Sequence, residues 1–147
     1  MLQIGQTVKA EIANESITVL KKLGEGGQGA VYLVESPSYG KKALKWYNVN
    51  QSTPYQKKAI LALIQHGSPS GEAGRRFIWP IDLATSNSSD QFGYLMDLID
   101  TSRFAELGEV WNRVKPAPSM KAMCIISKSA ADSYRALHLD GLCYRDI

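Results

Sequence analysis

Short apolar, β-branched runs separated by turn residues dominate the first 100 residues of the chain. Such runs are typical of β-strands. Pro80 lies within the fourth run and lacks a backbone N–H, so we expect that strand to be an edge strand or a bulged one. The pattern predicts a sheet domain with five strands. Their ranges are 16–23, 30–35, 42–47, 77–84 and 92–99.

A helix is predicted between the third and fourth strands. Thr53 can accept hydrogen bonds from the free N–H groups of a first turn, Pro54 suits the first helical position, and Gln56 occupies the capping-box position. Gly67 is suited to end the helix. Helical spacing of apolar side chains supports this assignment. The apolar positions are Ile60, Leu61, Leu63 and Ile64.

From Thr101 onward the pattern becomes helical. Residues 103–112 predict a short helix, and residues 119–139 predict a long helix with apolar positions three and four apart. A sheet region followed by a helical region indicates the α+β class. We therefore expect two domains, at 1–100 and at 101–147.

Composition excludes several classes of protein. The chain has 17 Lys and Arg against 14 Asp and Glu, so 17 − 14 gives a net charge of +3, and its lysine pairs are dispersed. This charge is too small to indicate nucleic-acid binding. Apolar residues make up 44% of the chain, which excludes intrinsic disorder, yet no apolar run approaches the ~20 residues that cross a bilayer. We expect neither a nucleic acid nor a membrane as partner.

The amino terminus has neither a basic leader nor a continuous apolar run, so no secretory signal is visible. Cys124 and Cys143 both lie among apolar neighbours, which favours buried, reduced thiols over a disulfide or a metal site. Together these features predict a cytoplasmic protein.

A glycine-rich segment, Gly24-x-Gly26-x-x-Gly29, joins the first two strands. Its spacing alone is weak evidence. In a dinucleotide enzyme of the NADP type the motif opens a helix, and an acidic residue follows about 20 residues later. Here Ala30 begins a strand and the later acid is missing, which disfavours that alternative. A plain glycine-rich hairpin without a ligand is the other alternative.

Further residues join the glycines in a pattern typical of phosphate chemistry. Val31 lies two residues after the third glycine, and Ala43 and Lys45 lie on the next strand. Glycines let backbone N–H groups approach phosphates without a Cβ clash, and a lysine ammonium then pairs with the α- and β-phosphates. This order matches the protein-kinase signature. Near the end of the chain, Arg145-Asp146 resembles the core of the catalytic loop.

With these three motifs in order, the chain resembles the N-terminal half of a Ser/Thr-type protein kinase over essentially all 147 residues. The stretch 67–83 resembles a divergent bacterial branch. The resemblance implies a kinase N-lobe, made of a five-stranded antiparallel sheet plus one helix, followed by the first helices of a truncated C-lobe. It also implies ATP and Mg²⁺ as cofactors and a protein as substrate.

The resemblance implies a role for each matching residue. Lys45 would hold the phosphates, and Met96 would be the gatekeeper. Asp146 would accept or orient the proton of the substrate hydroxyl, and Arg145 would pair with an activation-loop phosphate. The implied ATP-binding residues are Leu23, Gly24, Gly26, Gly27, Gly29, Val31, Ala43, Lys45, Met96, Asp97 and Ile99.

Five of these residues would contact the adenine. By the resemblance, Leu23 and Val31 would cover one face of the ring, and Ala43 would lie against its other edge. The backbone of Asp97 and Ile99, in the hinge, would form hydrogen bonds with it.

The predicted helix departs from the kinase pattern. Active kinases pair the strand lysine with a Glu on the following helix. No Asp or Glu occurs between Lys45 and Glu72 here, so the helix lacks an acid. Gln56 is the nearest polar substitute, and its capping position explains its presence equally well.

The catalytic loop also departs from the pattern. Tyr144 replaces the usual His, which active kinases of the family tolerate. The sequence ends one residue after Asp146, so the metal ligands are expected beyond Ile147 and none within the chain. Phosphoryl transfer depends on those metals, and the 147-residue chain alone is expected to be inactive.

Two functional hypotheses follow from the resemblance. The first is the ATP-binding portion of a protein kinase that, when complete, transfers the γ-phosphate of ATP to protein hydroxyls. The alternative is a non-catalytic, pseudokinase-like nucleotide-binding or scaffold module, motivated by the acid-free helix. In the resembling fold the helix at 119–139 packs inside the larger lobe, so its uncovered apolar face predicts self-association.

Overall fold

The computed structural model describes residues 1–143. Six β-strands and four α-helices follow one another along this part of the chain, with a 3₁₀ turn at Val49–Gln51. The strands are β1 (Thr7–Ala10), β2 (Glu15–Gly26), β3 (Gly29–Ser36), β4 (Gly40–Tyr47), β5 (Pro80–Ser86) and β6 (Ser89–Met96). The helices are α1 (Pro54–His66), α2 (Gly71–Gly74), α3 (Leu107–Trp111) and α4 (Met120–Leu139).

The six strands form a closed antiparallel barrel in the order β1-β2-β3-β4-β6-β5. All five predicted strands are present, but the prediction of a five-stranded sheet is wrong, because β1 closes the barrel. This strand pairs with β2 along its whole length and with β5 at Lys9 and Ala10. A strand of four residues is too short for its alternation to stand out in the sequence.

The position of Pro80 is partly as predicted. Pro80 is the first residue of β5, and the register against β6 shifts between Pro80 and Asp82, which is the expected bulge. The edge-strand alternative is wrong, since β5 also pairs with β1 on its other side. The proline is tolerated because it stands at the start of the strand, where its missing N–H interrupts few ladder bonds.

Alternate residues of every strand fill the interior of the barrel. Trp46 and Tyr32 are its largest buried side chains. Smaller apolar residues surround them and leave almost no surface exposed. They are Val8, Ala10, Ile17, Val19, Ala30, Val34, Leu44, Ala84 and Leu95.

A buried carboxylate joins the β1–β2 turn to β5. Asp82 is fully buried, and it accepts hydrogen bonds from the backbone N–H groups of Ile12 and Ala13, each at 2.9 Å. The Tyr39 hydroxyl donates to the same carboxylate at 3.4 Å. Burial and the neighbouring Asp82 raise the pKa of Tyr39. Asp82 therefore satisfies donors from two turns that would otherwise lack a partner in the protein.

Helix α1 packs on the outer surface of the barrel. The Thr53 side chain accepts from the N–H of Gln56 at 3.1 Å, and Gly67 ends the helix, as predicted. The Trp79 indole donates to the carbonyl of Leu63 near the C-terminus of the helix at 2.9 Å. The apolar face of α1 and the sheet together form a second hydrophobic cluster. That cluster contains Tyr47, Ile60, Leu83 and Phe92, with Leu61, Leu63, Ile64 and Tyr94 around it.

The chain divides into two compact units. The first joins Met1–Ser68 to Ile78–Leu98 and contains the barrel with α1; the second joins Pro69–Phe77 to the chain from Ile99 onward. The predicted domain boundary after residue 100 remains a prediction.

In the second unit, α2 contacts α4. The Arg76 guanidinium donates to the carbonyl of Ser129 at 3.1 Å. Helix α4 begins at Met120, with Ser119 as its N-cap, one residue after the start of the predicted 119–139 helix, whereas α3 is shorter than the predicted 103–112 helix.

The predicted burial of both cysteines is wrong. Cys124 and Cys143 are exposed and form no disulfide within residues 1–143. The apolar neighbours of Cys124 on α4 are themselves exposed, including Ile125 and Ile126, so an apolar surrounding in sequence did not imply burial. Within residues 1–143, no helix combines the length and the apolar character that a bilayer crossing requires.

We expect Asp82→Ala to destabilise the barrel by about 2–4 kcal/mol, because it leaves buried backbone and hydroxyl donors unsatisfied. Urea denaturation measures the change. Asp90→Ala, at an exposed position of β6, is the matched control and should change stability by less than about 0.5 kcal/mol. Equal effects of the two substitutions would contradict the structural role of Asp82.

Candidate functional site

Strand register brings four of the predicted ATP-binding residues to the outer face of the barrel. Lys45 pairs directly with Val31 on β3 and with Tyr94 on β6, and Ala43 pairs with Met96. Directly paired residues of antiparallel strands project from the same face of a sheet. On β4, Leu44 and Trp46 alternate with Ala43 and Lys45, and both lie in the barrel interior. The outer face is therefore shared by Val31, Ala43, Lys45 and Met96.

The glycine segment forms the tip of the β2–β3 hairpin. Gly26 pairs with Gly29, and Gly27 and Gln28 form the turn between them. Asn48 binds this turn from the end of β4. Its side-chain amide donates to the carbonyl of Gly27 at 2.7 Å, and its backbone N–H donates to the carbonyl of Gln28 at 3.0 Å. Sequence reasoning missed Asn48, and only its position directly after a strand could have indicated it.

The glycines of the motif differ in whether a side chain would fit at their positions. A Cβ atom on Gly29 would overlap the carbonyl oxygen of Trp46 and lie 2.9 Å from the Cα of Tyr47, and its φ of +151° is also unfavourable for other residues. A Cβ atom on Gly24, Gly26 or Gly27 would meet nothing within 4 Å. Packing therefore explains Gly29, whereas the other three glycines leave open space at the hairpin.

Lys45 is partly buried on β4. Within residues 1–143 it forms no ion pair with a carboxylate. The first acid after it, Glu72, belongs to the second unit and pairs with Arg75 at 3.0 Å. The described part of the chain thus leaves the ammonium of Lys45 without the carboxylate partner that active kinases supply.

Gln56 has a role other than the two considered from the sequence. Its backbone N–H completes the Thr53 cap, but its side-chain amide donates to the hydroxyl of Tyr47 at 3.0 Å. Tyr47 in turn lies beside Tyr94, with ring centroids 6.0 Å apart. Burial, together with the Tyr47 hydroxyl, raises the pKa of Tyr94 to about 12. Burial raises the pKa of Tyr47 as well. Both hydroxyls are therefore neutral at physiological pH.

The remaining predicted adenine contacts, Asp97, Ile99 and Leu23, lie in three different surroundings. Asp97 follows the last residue of β6, and its carboxylate accepts from the Lys42 ammonium at 2.6 Å. Ile99 is exposed and belongs to the second unit. Leu23 is half exposed, at the register shift between Lys22 and Gly24 on β2.

The predicted catalytic-loop residues Tyr144, Arg145 and Asp146 lie outside the described residues. Within residues 1–143, no three or more His, Cys, Asp or Glu side chains are grouped so that they could hold a metal ion. The described site consists of a lysine, an open glycine hairpin and an apolar surface. It has a cation and open space beside the glycine backbone for an anionic ligand, and apolar side chains for a flat ring.

We expect Gly29→Ala to destabilise the fold by about 3 kcal/mol, because the added methyl overlaps the backbone of β4. Gly24→Ala and Gly26→Ala should each change the free energy of unfolding by less than about 1 kcal/mol. Urea denaturation of the three variants makes the comparison. Similar stability losses at all three positions would contradict the assignment of open space to Gly24 and Gly26.

Solved structures share this fold. The chain matches the crystal structure of a cysteine-to-alanine mutant of the Mycobacterium tuberculosis PknI kinase domain with a TM-score of 0.76 and 21% identity, covering 100% of this chain and 55% of that chain. Another crystal structure of the PknI kinase domain matches with a TM-score of 0.72 and 20% identity, again covering 100% of this chain and 55% of that one. The chain thus spans about half of these kinase domains. No protein-family profile and no curated protein matches the sequence. The resemblance is confirmed at the level of structure: the chain has a protein-kinase-like fold over its full length.

Proposed function

We propose that the chain is the nucleotide-binding part of a protein kinase that transfers the γ-phosphate of ATP to hydroxyl groups of proteins. The observation that carries the proposal is the placement of Lys45 on the same outer face as Val31, Ala43 and Met96. In kinases a strand lysine and a glycine-rich hairpin bind the phosphates. The kinase-like fold of the whole chain supports this assignment of the lysine.

The residues present fit ATP. Gly24, Gly26 and Gly27 have no Cβ atoms, and the space beside them is open, so a phosphate can approach the hairpin backbone without a Cβ clash. Val31, Ala43 and Met96 supply apolar surface for adenine, and the Lys45 ammonium supplies positive charge. When bound, ATP supplies the phosphoryl group, and the Mg²⁺ ligands are proposed to lie beyond Ile147.

The roles of the catalytic-loop residues are proposals by resemblance. Asp146 would orient the substrate hydroxyl and hold its proton, and Arg145 would pair with a phosphate on an activation segment. Leu23, Asp97 and Ile99 keep their proposed adenine contacts.

Self-association through residues 119–139 also stays a proposal. It is supported by exposed apolar side chains on α4, which are Met120, Met123, Ile125, Ile126 and Leu139. The cytoplasmic location stays a prediction from the sequence.

We expect Lys45→Ala to weaken binding of Mg²⁺-ATP by about 10-fold or more, because a charge-assisted contact with the phosphates is lost. Isothermal titration of the 147-residue chain measures the affinity. Lys41→Ala, at an exposed position of the same strand, is the control and should bind ATP like the wild type. Equal affinities of wild type and Lys45→Ala would contradict the proposed phosphate site.

A second candidate function is a nucleotide-binding or scaffold module without catalysis. The observation that favours it is the absence, within residues 1–143, of a carboxylate paired with Lys45. Such a module would bind nucleotide through the same face and transfer no phosphate.

Phosphate transfer by the natural full-length protein separates the two candidates. If the protein is a kinase, Asp146→Asn should lower transfer to a protein substrate by about 10²–10⁴-fold, because the group that receives the hydroxyl proton is lost. Radiolabelled ATP provides the measurement, and ATP affinity should be unchanged. Undiminished transfer by Asp146→Asn would reject the assigned role, whereas absence of transfer by the wild type would favour the non-catalytic module.

A further inference from the structure

Gln56 makes a side-chain hydrogen bond between α1 and the barrel within a largely apolar interface. Its side-chain amide donates to the Tyr47 hydroxyl at 3.0 Å. The other residues of α1 that face the sheet are apolar, and Ile60 is the most buried of them. A directional bond in such an interface fixes one side chain more closely than apolar contacts do.

The residue fixed by this bond is a close neighbour of Lys45. Tyr47 lies two positions after Lys45 on β4 and therefore projects from the same face. Tyr94 lies directly opposite Lys45 on β6. Directly opposed residues have Cβ atoms about 4.5–5.5 Å apart, so the alkyl stem of Lys45 leaves the sheet beside the ring of Tyr94.

Tyr47 is held at both ends. Its hydroxyl accepts from Gln56, and its backbone carbonyl accepts from the side chain of Gln91 at 2.9 Å. Its ring contacts Tyr94 with centroids 6.0 Å apart and Phe92 with centroids 5.3 Å apart. A fixed Tyr47 ring therefore limits where the ring of Tyr94 can lie, and Tyr94 limits the rotamers open to the stem of Lys45.

We propose that Gln56, Tyr47 and Tyr94 position Lys45 for the phosphates of a nucleotide, in place of the helix carboxylate that the described chain does not pair with it. The three are positioning residues, since they act through the stem of Lys45. This inference rests on the proposed nucleotide-binding function.

Two ligands distinguish positioning from general stability. Adenosine has no phosphates, so its binding should not depend on Lys45, whereas binding of Mg²⁺-ATP should depend on the ammonium. Gln56→Leu removes the bond to the hydroxyl, and Tyr47→Phe removes the hydroxyl but keeps the ring. We expect each variant to bind Mg²⁺-ATP about 5–10-fold more weakly than the wild type, with adenosine affinity unchanged within about twofold, both measured by isothermal titration.

Tyr55→Phe is the matched control. It removes a tyrosine hydroxyl at an exposed position of α1 and leaves the Gln56 bond to Tyr47, so the ratio of ATP to adenosine affinity should stay at the wild-type value. Tyr47→Phe carries the test if Gln56→Leu fails to fold, as checked by thermal unfolding. An unchanged ATP affinity in Tyr47→Phe, or an equal loss for both ligands, would overturn the inference.

A double-mutant cycle with Lys45→Ala separates this inference from the proposed function. If Tyr47 acts through Lys45, Tyr47→Phe should have no further effect on ATP affinity in the Lys45→Ala background. Additive losses would overturn the positioning role while leaving the Lys45 phosphate site intact. Failure of the wild type to bind ATP would overturn the proposed function, and this inference with it.

Discussion

The two-residue period of strand β4 is the constraint on which the site depends. Leu44 and Trp46 must point into the barrel, where both are almost fully buried. Because successive side chains of a strand point to opposite faces, Ala43, Lys45 and Tyr47 must then point outward. A one-residue slip would bury the lysine and expose the tryptophan. The free energy gained by burying Leu44 and Trp46 in the barrel therefore also determines that Lys45 lies on the outer face.

Two glycines make this register possible, because their lack of a Cβ atom lets the neighbouring strands β3 and β6 approach β4 at Trp46. A Cβ atom on Gly93 of β6 would lie 2.9 Å from the Trp46 ring and overlap the Lys45 carbonyl, and one on Gly29 of β3 would overlap the Trp46 carbonyl. Gly29, the third glycine of the motif, thus lets the end of the hairpin pack closely against β4, the strand that carries Lys45. The motif combines one glycine required by packing with others that face open space, a division that spacing alone does not reveal.

Local patterns predicted the five longer strands, α1 with its Thr53 cap, and the start of α4. The barrel closure was not predictable, because β1 has four residues and its pairing with β5 depends on contacts distant in sequence. The motifs named Val31, Ala43 and Lys45 as candidate site residues, and the strand register of the folded sheet then shows that the three share one face. The roles of Asn48 and Gln56 were not predicted, because each depends on a partner that only the folded chain brings near.

The absence of an acid on α1 changes how the helix and the lysine are related. In active kinases one ion pair both docks the helix and orients the lysine. Here apolar side chains such as Ile60 dock the helix, and burial of apolar area does not depend on the state of Lys45. The two tasks are therefore separate in this chain. Orientation of the lysine falls to its neighbours on the sheet, among which Tyr47 has the hydroxyl that α1 contacts through Gln56.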